Sequence, residues 1–202
     1  MRDRLNAAAR QIPTAVLYGL GAIPALGWLA AAGFNRLGPD PVKVLEQALG
    51  LWALRFLLAS LYVTPLASVG LRLVKFRRAL GLLGFAYAVL HLGIWLVLDM
   101  DLRWGQIVND LWKRPYIVMG LCAFVLLLPL AFTSRNAVIA RMGARAWKRL
   151  HRLAYPAILA AAVHFTMIGK VWTAESLIYL GLTFAALLAR IPRRRNAPSP
   201  SP

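Results

Sequence analysis

Apolar residues in this chain run in long blocks, and the polar residues collect between the blocks instead of striping one helical face. The blocks cover 13–33, 45–63, 79–98, 115–132, 150–168 and 171–189. Each comes close to the roughly 20 apolar residues that a helix needs to cross a bilayer. The pattern predicts an all-α fold, an integral membrane bundle of about six transmembrane helices with membrane lipid as its surroundings. The fifth and sixth blocks are joined by a very short turn, which predicts antiparallel neighbours. Pro24, Pro65, Pro129 and Pro156 fall within or beside the blocks, where they are expected to kink the helices if neighbouring groups satisfy the freed carbonyls.

Composition supports this class. Of the 202 residues, 60% are hydrophobic and 15% charged, far from the averages of a soluble domain. Six spans and their loops fill residues 1–192 as one membrane domain. The segment 193–202 is basic, then rich in Pro and Ser, and is expected to be a disordered cytoplasmic tail. The first block has a basic flank like a signal peptide, but it is too long for one and is read as a retained span.

The formal charge of +17 does not point to nucleic acid, because the basic residues sit between apolar blocks and do not interleave with aromatics on a polar domain. Their distribution instead predicts orientation. Clusters such as Arg72, Lys75, Arg77 and Arg78, or Arg141, Arg145, Lys148 and Arg149, fall on one side with both termini. The opposite loops carry fewer cations and include Asp40, Asp99, Asp101 and Asp110. Basic loops stay in the cytoplasm, so a multi-pass membrane protein with both termini cytoplasmic is expected. Trp104, Trp112 and Tyr116 would mark the outer interface, and Trp147 and Tyr155 the inner one.

The chain has three histidines. His91 and His164 fall nearer the outer ends of the third and fifth blocks, which run in the same direction, so their depths match. Ionisable groups at membrane depth are costly and mark function, and two imidazoles at one depth suit the axial ligands of a haem b. Hydrogen bonding to neighbouring helices is the alternative for either one alone. Gly81, Gly84, Ala86 and Ala88 are expected to allow close backbone approach on the third span. His151 opens the fifth span, thirteen residues before His164, or about 20 Å along a helix. It could belong to a second redox centre, but Arg77 and Arg78 occupy the matching depth on the third span, so its role stays open between ligand and interfacial residue. The single cysteine, Cys122, rules out an intramolecular disulfide and covalent haem attachment through C-x-x-C-H.

Arg55 lies in the middle of the second span, and the seven acidic residues lie near span ends or in loops. A bound anion, such as a haem propionate or flavin phosphate, is therefore an attractive counter-ion, with snorkelling as the alternative. The chain has no mid-span carboxylate of the kind common in proton-coupled transporters, no Gly-rich nucleotide loop and no H-E-x-x-H. Electrons would have to come from a lipid-soluble donor or a separate protein.

An ordered set of short motifs completes the reading. It comprises Gly38-Pro39-Asp40-Pro41-Val42, Arg77-Arg78-Ala79-Leu80-Gly81-Leu82, Leu90-His91-Leu92, Arg114-Pro115-Tyr116, Leu130-Ala131-Phe132-Thr133-Ser134, and Trp147 with Leu150-His151 and Tyr155. The set resembles the haem-binding membrane subunits of bacterial protein-methionine-sulfoxide reductase systems, within the ferric-reductase-like transmembrane proteins. The resemblance implies a non-catalytic electron-transfer subunit. It would carry electrons from the quinone pool through haem b and FMN to a periplasmic molybdenum-containing methionine-sulfoxide reductase subunit that repairs oxidised proteins. It also implies that His91, His151 and His164 are the haem-associated histidines, while Arg77 and Arg78 in place of a fourth leave a second haem open. No short motif identifies an FMN site. The outer loop 99–114 is the expected docking surface. A cytochrome b-type ferric reductase with another acceptor, or a non-redox transporter, are the competing readings.

Overall fold

The structure is a computed structural model that describes residues 2–169 and 171–190. The expected tail at 193–202 lies outside the described residues. Every regular element among those described is helical, so the all-α membrane bundle stands. Thr14–Gly33 (α2, preceded by α1, Arg2–Gln11), Pro41–Ser68 (α3), Val74–Asp99 and Pro115–Phe132 are long and apolar enough to cross a membrane. Within the third of these, α4 (Arg77–Ile94) is flanked by a 3-10 turn at Val74–Phe76 and a π turn at Trp95–Asp99. The fourth is α6, and α5 (Trp104–Lys113) precedes it. The fifth and sixth expected spans are shorter: α9 covers Ala154–Met167 and α10 covers Ala174–Leu188.

Two connections carry helices that the apolar blocks did not announce. On the basic side, α7 (Asn136–Met142) and α8 (Ala144–Leu150) pivot at Gly143, whose φ of 82° favours glycine. From α8 the backbone continues through a 3-10 turn at His151–Leu153 into α9. That tightening sits where Pro156 cannot donate to the Arg152 carbonyl and its ring would crowd it. On the other side, α5 buries Ile107 and Asp110 and turns Trp104, Val108 and Trp112 outward.

Local chemistry sets the ends. The Asp40 carboxylate accepts from Lys43 N–H at 3.3 Å and Pro41 occupies the first turn of α3, a conventional start. At the far end of α6, Thr133 Oγ1 donates to the Pro129 carbonyl at 2.6 Å and Ser134 Oγ to the Leu130 carbonyl at 2.7 Å, covering carbonyls a helix end leaves bare.

Pro24 lies inside α2 and offers no N–H to the Leu20 carbonyl, and Tyr87 of α4 serves the next pair of groups along the helix. Its hydroxyl accepts from Ala25 N–H at 2.8 Å and donates to the Gly21 carbonyl at 2.7 Å. Those are the two groups that an uninterrupted helix pairs with each other, so one buried phenol satisfies both in apolar surroundings.

The bundle is built from two helix pairs, α3 with α4 and α6 with α9, with α2 laid on the first pair and α10 against α9 and α3. Leu54, Leu57, Leu58 and Leu61 of α3 meet Leu127 and Leu130 of α6 and Ala157, Ile158 and Ala162 of α9 in one cluster. A second cluster joins Ala25, Leu45, Leu49, Ala53, Tyr87 and Ile94. Leu20, Ile23 and Leu26 of α2 remain exposed, as expected of a surface that faces lipid.

Candidate redox site between two helix pairs

The two pairs each present one histidine to the seam between them. His91 projects from α4 and His164 from α9, and their ring centroids are 6.2 Å apart with the planes at 70°. Each ring is anchored by the partner helix of its own pair. His91 Nδ1 lies 2.8 Å from the Glu46 carbonyl of α3, and His164 Nδ1 lies 2.6 Å from the Tyr116 carbonyl of α6. A carbonyl accepts only, so both rings carry their proton on Nδ1. Nε2 of each ring is then the unprotonated nitrogen, and neither has a hydrogen-bond partner among the described residues.

A glycine completes each cradle one helical turn beyond the carbonyl. A Cβ on Gly50 would lie 2.9 Å from His91 Nδ1, and one on Gly120 would lie 2.9 Å from His164 Nδ1 and Cε1. Any side chain at either position would push the ring from its carbonyl. The half-sites therefore share one construction: a carbonyl at position i holds the imidazole and a glycine at i+4 leaves room for it.

The spacing fits an iron between the rings. Two metal–imidazole bonds of about 2 Å, with about 1.1 Å from each nitrogen to its ring centre, place the centroids about 6 Å apart. No group of three or more His, Cys, Asp or Glu side chains forms among the described residues, so His91 and His164 would hold the iron of a haem as a pair of imidazole donors. Carbonyls on the far ring nitrogens are the usual means of fixing the tautomer and orientation of ligating histidines.

His151 does not join this pair. It stands at the basic end of the fifth span, stacked on Trp147 with centroids 3.9 Å apart, and its Nδ1 lies 3.2 Å from the Trp147 carbonyl. Its Nε2 is buried without a hydrogen-bond partner among the described residues. Trp147, expected as an interface marker, donates from Nε1 to the Thr133 carbonyl at 3.1 Å and so packs the end of α6 against α8. Arg77 reaches Thr64 Oγ1 at 3.4 Å and Arg78 reaches Asn136 Oδ1 at 2.6 Å.

Arg55 corrects an expectation. A counter-ion within the chain seemed absent from the sequence, yet Arg55 Nε donates to the Tyr179 hydroxyl at 2.8 Å and its guanidinium lies 3.8 Å from the Glu175 carboxylate, both on α10. It also lies over the Trp52 ring. The antiparallel return of α10 brings the acid of its first turn to the depth of Arg55, so the chain itself supplies a counter-ion. The small residues of α4 also act elsewhere: a Cβ on Gly84 would strike Leu57 of α3, and one on Gly81 would meet nothing within 4 Å. The glycines that clear the imidazoles are on α3 and α6.

Comparison with known proteins assigns the chain to a family. Residues 47–162 match the family described as ferric reductase like transmembrane component. The protein-methionine-sulfoxide reductase heme-binding subunit MsrQ of Brucella anthropi is 46% identical over 184 residues, covering 90% of this chain and 83% of the relative. Subunits of the same name from Brucella ovis and Brucella canis are 46% identical over 179 residues, covering 88% of this chain and 81% of each relative. The chain belongs to this MsrQ family. The matched ferric-reductase-like region runs from just after Glu46 in α3 into α9, taking in Gly50, His91, Gly120 and His151 and ending two residues short of His164. The MsrQ relatives extend the likeness over most of the chain.

Proposed function

We propose that the chain is a membrane electron-transfer subunit that holds a haem b between His91 and His164 and serves a methionine-sulfoxide reductase partner. The observation that carries this reading is the histidine pair itself: 6.2 Å between centroids, each Nδ1 on a carbonyl of the neighbouring helix, and each Nε2 unpaired among the described residues. A haem iron, when bound, supplies one-electron chemistry between its ferric and ferrous states. The residues of the chain do the rest. Glu46 and Tyr116 hold the imidazoles through their carbonyls, Gly50 and Gly120 keep the space for them, and the apolar clusters exclude water. The relatives are named as heme-binding subunits of the reductase, and the paired histidines are the matching chemistry here.

His151, with its buried Nε2 unpaired among the described residues, is the candidate contact for a second group at the basic end, beside Arg77 and Arg78. The quinone donor, the FMN carrier and the molybdenum-containing periplasmic acceptor follow from the sequence resemblance, and no residues are assigned to the first two. Placement in the bacterial inner membrane follows from the sequence resemblance, and the cytoplasmic position of both termini rests on the lopsided basic loops. The acceptor would then dock at the opposite end, where α5 presents Trp104 and Trp112, 65% and 91% exposed; aromatic anchors are common in interface cores.

The test uses the purified full chain in detergent. The reading expects a b-type signal in the dithionite-reduced minus oxidised spectrum, and reoxidation of that signal when the reductase subunit and methionine sulfoxide are added. A colourless, folded protein would move the transporter reading to the front, and a haem oxidised by ferric iron but not by the reductase would favour a ferric reductase.

A further inference from the structure

At the basic end, α1 and the α3–α4 connection form a cleft of about 350 Å³ lined by Arg2, Asp3, Asn6, Arg10, Gly70 and Arg72, none of them a histidine. Its walls are fixed to each other. Asn6 Nδ2 donates to the Gly70 carbonyl at 2.9 Å while Asn6 Oδ1 accepts from Arg72 N–H at 2.9 Å, so one amide pairs with both polar groups of the connection. Gly70 adopts a φ of 95°, which presents them side by side. Lys75 Nζ then donates to the carbonyls of Arg10 and Ile12 at 2.8 Å each, closing the end of α1.

Arg2, Arg10 and Arg72 therefore line one cleft, and none of their guanidinium groups forms an ion pair with a carboxylate among the described residues. Asp3 offsets only one of the three charges. Leu5 and Ile12, near the lining residues of α1 in sequence, and Val69 and Val74 of the connection are exposed apolar side chains. The membrane span α2 begins immediately after Pro13, which places the cleft at the level of the bilayer surface. Arginine forks match phosphate oxygens, and apolar side chains beside a basic surface match the acyl side of a lipid interface. We infer that this cleft binds the phosphate of an anionic phospholipid headgroup, with the lipid's acyl chains against Leu5, Ile12 and Val74. The site is independent of the haem reading, since none of its residues touches His91, His151 or His164.

Native mass spectrometry of the detergent-purified full chain tests this with phosphatidylglycerol and phosphatidylcholine of equal acyl chains. The wild type is expected to retain phosphatidylglycerol about tenfold more tightly. Arg2→Gln/Arg10→Gln/Arg72→Gln should bring the two lipids within about twofold. Arg141→Gln/Arg145→Gln/Arg149→Gln, which removes equal charge from α7 and α8, should leave the preference intact. Should the triple cleft variant fail to fold, Arg10→Gln alone should still lower the preference by a few fold. Equal loss in the cleft and control variants, or no preference in the wild type, would overturn the site. Displacement of the lipid by millimolar inorganic phosphate, with matching thermal stabilisation by phosphate alone, would overturn the lipid assignment in favour of a soluble phosphate.

Discussion

The seam between the two helix pairs and the basic end around His151 both contain a histidine at a helix junction, yet they are built differently. At the seam, each imidazole is held by a carbonyl of another helix and faced by a second imidazole. At the basic end, one imidazole is held by a carbonyl of its own helical segment, lies flat on Trp147 and has arginines for neighbours. The first arrangement brings two similarly anchored imidazoles within 6.2 Å of each other, whereas the second supplies no partner imidazole. A histidine's role is therefore decided by what holds its far nitrogen and what faces its near one, and depth alone does not decide it.

The sharpest way to break that contrast is to fill the cradles. Gly50→Val and Gly120→Val each drive a side chain into the imidazole, and loss of the orienting bond is expected to lower haem affinity by about 10- to 100-fold, read as haem content per protein after dilution. Valine at the open position Gly81 should leave haem content unchanged. His151→Ala should preserve the spectral signal of the His91/His164 pair while removing whatever signal belongs to the basic end; loss of both signals together would merge the two regions into one site.

Smaller effects concern the frame. Tyr87→Phe leaves Ala25 N–H and the Gly21 carbonyl without their bridging hydroxyl, at a cost of about 1–3 kcal/mol, measured as a lower unfolding midpoint with haem ligation retained. Arg55→Gln should lower the unfolding midpoint by less than Tyr87→Phe does, since the glutamine amide can still donate to the Tyr179 hydroxyl. A large loss of haem in Arg55→Gln, with the fold intact, would restore the anion role expected from the sequence.

The apolar blocks and the two deep histidines were legible in the sequence because both depend on simple quantities, block length and position along parallel spans. The bounds of α6 at Pro115–Phe132 coincide with the block at 115–132, where a proline and a polar turn mark the ends. The basic connection was not legible as α7, α8 and a 3-10 turn, because its helices are short and polar. The cradle was also missed. Gly50 and Gly120 are single glycines inside apolar helices, and only the crossing of α4 on α3 and of α9 on α6 shows that an imidazole fills the space beside each. The partner of Arg55 was hidden for a similar reason: Glu175 is 120 positions away in sequence and meets it only through the return of α10.

The most direct test of the central claim is the dithionite-reduced minus oxidised spectrum, together with the low-spin ferric resonance, of His91→Ala and His164→Ala purified as folded full-length chains. If both histidines ligate one iron, each variant alone abolishes the same b-type signal. Loss of that signal in only one variant, or its survival in both, would contradict the shared site.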